Sequence, residues 1–137
     1  MNDLIKTALE LIKAENSLVM ATIVRHKGST PRETGTRFII KSDGSAIGTV
    51  GGGLVEAEVI ERGRSLFATK KSTLLAFDTA VQHLNSAAMI CGGNMSILLD
   101  YMEPDPATLS FLQAIEQSLV SRSKSTMILE LREENAD

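Results

Sequence analysis

The chain holds one thiol, Cys91, and two glycines follow it directly, Gly92 and Gly93. A thiol reacts and binds soft centres as thiolate, and exposed backbone N–H groups beside it lower its pKa. Gly92 and Gly93 could offer such groups without steric screening. A second break, Gly51-Gly52-Gly53, runs straight into Leu54-Val55-Glu56. Glycine reaches positive φ and lets a ligand touch the main chain. The first N–H groups of a helix that follows face outward with the positive end of its dipole, which suits a phosphate or another anion. Glu56 lies three residues past Gly53 and has two readings. It can reach back to the Gly53 N–H as a capping-box partner, or stand at the rim of an anion or pterin pocket and accept hydrogen bonds from ring N–H groups. A third stretch, Gly28-Ser29-Thr30-Pro31-Arg32, is polar and locally basic. Arg32 and Arg37 could fork onto a phosphate or carboxylate. Each feature also has a plain explanation: glycines that only permit close packing, a buried cysteine acting as a small hydrophobe, a solvated loop.

The elements that must position these groups follow from periodicity. Leu4, Ile5, Ala8, Leu11 and Ile12 fall on one face of a helix over residues 3–15, which Asp3 can cap. Leu18 to Val24 is a continuous apolar run, the pattern of a strand buried on both faces. It runs out into a polar, locally basic loop, Arg25 to Gly35, and strand ends are where α/β sheets place ligand groups. Thr36–Lys41 and Ala46–Val50 read as a hairpin around Asp43-Gly44, and the second strand delivers the chain to Gly51. A helix from Leu54 to about Thr69 would contain Gly63, at a cost of about 1 kcal/mol against Ala. Strands are expected over 71–77 and 94–101, with the Cys91-Gly92-Gly93 break just before the latter. Asp105-Pro106 starts a helix to about Val120, and 126–131 looks like a last strand. The expected fold is α/β: a single layered domain with a mixed β-sheet and packed helices.

At 137 residues the chain fits one domain. It is 43% hydrophobic but only 4% aromatic, so its core is aliphatic. A net charge of −3 without a basic block argues against a nucleic-acid partner. No apolar run approaches the length of a membrane span, and the first residues lack the pattern of a signal peptide. A single cysteine excludes an internal disulfide, and a cytoplasmic location is expected. His26 has no second histidine at ligand spacing, so no metal site is expected there. A homodimer through the edge hairpin is left open.

Gly28 to Arg32, Gly35, Gly48 to Glu56 and Ile90 to Gly93, in this order and spacing, resemble the N-terminal domain of the XdhC/CoxI family, the accessory proteins of xanthine dehydrogenase and related molybdenum hydroxylases. The resemblance runs from about Leu4 to Tyr101. It implies a chaperone that binds molybdenum cofactor transiently, assists its sulfuration by a cysteine desulfurase partner, and delivers it to the hydroxylase client without turnover of its own. It implies cofactor-binding roles for Ser29, Arg32, Gly51, Gly52, Gly53, Glu56, Cys91, Gly92 and Gly93, with Cys91 touching the cofactor's molybdenum or its sulfur. Leu54 stands where family members often carry a cysteine, which removes the second thiol that a two-thiol mechanism would use. The resemblance also implies that residues 1–137 correspond to the N-terminal domain, without the C-terminal Rossmann-like domain of larger members. Two other functions compete. One is a nucleotide- or phosphate-handling transferase, against which no Walker-type Lys-Ser/Thr follows the glycines. The other is a non-catalytic regulatory domain whose glycines serve packing.

Overall fold

The computed structural model describes residues 2–27, 34–48, 53–78 and 94–122. In chain order the elements are α1 (Asn2–Lys13), β1 (Leu18–Lys27), β2 (Arg37–Ile40), β3 (Ala46–Ile47), α2 (Gly53–Thr69), β4 (Thr73–Asp78), β5 (Asn94–Met102) and α3 (Pro106–Val120). The strands form one sheet in the order β3-β2-β1-β5-β4, and every described pairing is antiparallel. The layered α/β architecture is the expected one, but the described sheet is antiparallel rather than mixed. The apolar run of β1 explains the difference. It reads as a strand buried on both faces, and it is one, because helices cover both sides of the sheet; parallel neighbours are not needed for that.

Alternation along the strands sorts the side chains into two layers. Val19, Ala21, Ile23, Phe38, Ile40, Met95, Ile97 and Leu99 turn to one face and pack with Val55, Val59 and Leu66 of α2. Leu18, Met20, Ile39 and Met102 turn to the other face and meet Ile5, Ala8, Leu9 and Ile12 of α1 and Leu112 of α3. The α1 residues recur at the spacing of one helical stripe.

The helix ends follow from local chemistry. α1 closes with Glu15 at φ 64, its N–H on the Ile12 carbonyl, and Asn16 N–H on the Leu11 carbonyl, a Schellman arrangement. Asp105 caps α3 by accepting from the Thr108 N–H at 2.7 Å, as the Asp-Pro pair predicts. That hydrogen bond holds its carboxyl below the usual carboxylate range. Gly63 also has its reason. A methyl there would overlap Cδ1 of Ile40, so α2 lies close on the sheet over β1 and β2.

Candidate functional site

β1 continues past its apolar run to Lys27. Arg25, His26 and Lys27 pair with Ser96, Met95 and Asn94 of β5, after a bulge between Ile23 and Arg25. Asn94 also pairs with Asp78 at the end of β4. Lys27 directly precedes the Gly28 stretch and Asn94 directly follows Gly93. The flanks of two separate glycine motifs are therefore neighbours at one end of the sheet.

α2 leads to the same end. Its C-terminal part lies at the opposite end, where Phe67 meets Tyr101 edge-on at 5.7 Å between ring centroids and Lys70 pairs with Glu103 at 3.6 Å. From Phe67 back to Gly53 the helix spans roughly 21 Å at its normal rise. From Tyr101 back to Asn94 the strand spans roughly 24 Å. The two lengths match, and Val55, Val59 and Leu66 keep α2 on its face of the sheet throughout. The start of α2 is thus carried toward the end that holds Lys27, Asp78 and Asn94. β3 heads there as well. Gly48, at φ +95, lies over Phe38, where an added Cβ would come within 2.9 Å of the Phe38 Cβ. Gly35, at φ +94, gives its N–H to the Ile23 carbonyl at 2.7 Å, and the Ile23 N–H in turn donates to the Thr36 carbonyl at 2.9 Å.

Of the residues singled out in the sequence, Gly53 is the first residue of α2 and Glu56 lies half-buried in its first turn. Ser29, Arg32, Gly51, Gly52, Cys91, Gly92 and Gly93 lie outside the described residues. Arg37 is half-buried on β2, opposite the buried Thr22 on β1, and desolvation lowers its guanidinium from the ordinary value. Among the described residues no group of three or more His, Cys, Asp or Glu side chains could hold a metal ion. Nor is any described helix long and apolar enough to cross a membrane.

The fold is an α/β domain in which the described flanks of three glycine segments gather toward one end of the sheet. Residues 11–78 match the XdhC and CoxI family, and the chain belongs to that family. It is similar to the uncharacterized protein YqeB of Escherichia coli K12, 35% identical over 92 residues that make up 67% of this chain and 17% of that protein. It is 34% identical to a probable xanthine dehydrogenase subunit of Bacillus subtilis over 61% of this chain and 26% of that protein. Its identity to the molybdenum cofactor insertion chaperone PaoD of E. coli is 22%, over 83% of this chain and 36% of PaoD. The chain thus spans only a minor part of the length of these relatives. Among solved structures, a xanthine dehydrogenase from Bacillus halodurans shares the fold at a TM-score of 0.69 and 22% identity, over 85% of this chain and 35% of that one.

Proposed function

We propose that this chain binds molybdenum cofactor as cargo and passes it to a xanthine dehydrogenase-type hydroxylase in the cytoplasm, with a cysteine desulfurase as a further partner. Family membership supports an accessory role of this kind, as does the likeness to a cofactor insertion chaperone and to a probable xanthine dehydrogenase subunit. The observation that carries the reading is the pairing of Lys27 with Asn94. It sets Lys27, which precedes Gly28, beside Asn94, which follows Gly93, at the end toward which α2 also begins.

The cargo has a terminal phosphate, a pterin and a sulfur-ligated metal, and the residue types singled out in the sequence fit it in kind. Gly53 opens α2, and a helix start of this sort suits a phosphate. Glu56 in the first turn can accept from ring N–H groups. Cys91 would supply the soft ligand to molybdenum or its sulfur. Ser29 and Arg32 would add donors, and Gly51, Gly52, Gly92 and Gly93 would let the backbone approach.

The test is to mix the purified chain with molybdenum cofactor released from a hydroxylase, then measure retained molybdenum and activation of the cofactor-free client. The native protein should retain cofactor and activate the client, and Cys91→Ala should do both less well while keeping its fold. Equal retention and activation by Cys91→Ala would defeat the role given to the thiol. No retention by the native protein would defeat the cargo reading.

A further inference from the structure

Among the described residues β4 has a neighbour, β5, on one side only. Its side chains alternate between the two faces of the sheet. Leu75 and Phe77 turn to the α2 face and pack there. Leu74 turns to the α1–α3 face, opposite Leu98, and is 48% exposed. Phe111 of α3, which shares a small cavity with Leu98, is 38% exposed. An edge strand with unpaired backbone groups and an open apolar side chain is a template for another strand. Residues 126–131 lie outside the described residues. They match β4 in length, are apolar at Met127, Ile128, Leu129 and Leu131, and contain neither Gly nor Pro.

We propose that residues 126–131 pair with β4 as a further strand, antiparallel to it. Topology carries the inference. β5 ends at Met102, and α3 starts at Pro106 and brings Leu112 and Ile115 to the cavity beside Leu98, so the helix runs back along β5. A strand that follows α3 therefore runs in the direction of β5, opposite to β4. Handedness decides where it lands. α2 connects β3 to β4, which point the same way, and it crosses on the face of Val19 and Ile97. Crossovers of this kind are right-handed in nearly all sheets. α3 crosses on the opposite face and leaves a strand of the opposite direction. The two reversals cancel, so the same hand carries the chain from β5 to the outer side of β4, away from β3. A strand there sets side chains beside Leu74 and bonds the outer backbone groups of β4. With the edge filled by the chain itself, neither a second copy nor a client can add a strand to β4. The inference uses no residue of the cargo reading and stands apart from it.

The experiment is NMR of the full chain, with backbone nuclear Overhauser contacts and amide hydrogen exchange read residue by residue. Contacts are expected between residues 73–78 and 126–131 in antiparallel order, within one molecule. The β4 amides that do not bond β5 should exchange slowly. Successive N–H groups of a strand point to opposite sides, so either Ile128 or Leu129 donates toward β4. Ile128→Pro and Leu129→Pro are therefore made separately, and one of them should speed exchange at those β4 amides about tenfold or more. Should both variants fail to fold, the contacts in the native chain decide. Absence of contacts between the two segments overturns the proposal. So do contacts of the outer side of β4 with residues 79–93 instead, or contacts seen only between labelled and unlabelled copies in a mixed sample. Unchanged exchange of β4 in both folded proline variants overturns it as well.

Discussion

Lys27 and Asn94 face each other across β1 and β5, each one residue from a glycine motif. Covalent reach bounds how far apart the two motifs can stand. Two residues extend at most about 7 Å and three at most about 11 Å, so Ser29 and Cys91 cannot lie more than roughly 25 Å apart. If the two segments share a pocket, the separation is far smaller. A Ser29→Cys variant should then be joined to Cys91 by a short bis-maleimide, giving an internally linked species on peptide mapping. Modification of both thiols without linkage would place the segments apart.

The contact between Gly63 and Ile40 predicts a coupled pair of substitutions. Gly63→Ala gains about 1 kcal/mol of helix propensity but pushes a methyl into a fully buried isoleucine, and overpacking costs about 1–3 kcal/mol. Net destabilisation in urea unfolding is expected. Ile40→Val removes the obstructing methyl and by itself costs about 0.5–1.5 kcal/mol. In the double variant the Gly63→Ala penalty should shrink or reverse, a non-additive result. Strict additivity would show that the helix shifts to make room.

Gly35 and Gly48 share a positive φ but not their surroundings. Alanine at either position adopts an unfavourable backbone, at about 1–2 kcal/mol. Only at Gly48 does the new Cβ also press on Phe38. Thermal unfolding should therefore rank Gly48→Ala below Gly35→Ala. Equal losses would mean that Phe38 yields freely.

Asp105 makes the stability of α3 depend on pH. Its folded-state pKa is depressed by the Thr108 N–H bond, so its contribution is present above the unfolded carboxyl value, near 4. It is lost as pH falls through the lower folded value. Asp105→Ala should lower the melting temperature at neutral pH, and its deficit should narrow on acidification through that window. A constant deficit would assign the effect to something other than the carboxylate.

Much of this architecture can be read from the residues. The helical stripe of α1, the Asp-Gly hairpin and the Asp105-Pro106 start are local signals, and each stands where the pattern places it. The rest depends on partners distant in the chain. Arg25, His26 and Lys27 are polar and look like a loop, yet they are strand, because β5 offers its backbone beside them. Hydropathy does not report strand direction, since burial on both faces leaves the same pattern whichever way the neighbours run. Gly63 looks like a fault in a helix until Ile40 is placed beneath it. That Lys27 and Asn94, the flanks of two glycine motifs, lie side by side is not legible at all, because it is a property of register and no window of sequence contains it.

The strand order also bears on biosynthesis. β5 fills the slot between β1 and β4, yet it is the last strand of the described sheet to leave the ribosome. Until Met102 has emerged, β1 has a neighbour on one side only and β4 has none in this sheet. Such long-range closure comes late in folding. A nascent polypeptide halted before that point would lack the pairing of Lys27 with Asn94, which brings the flanks of two glycine motifs side by side.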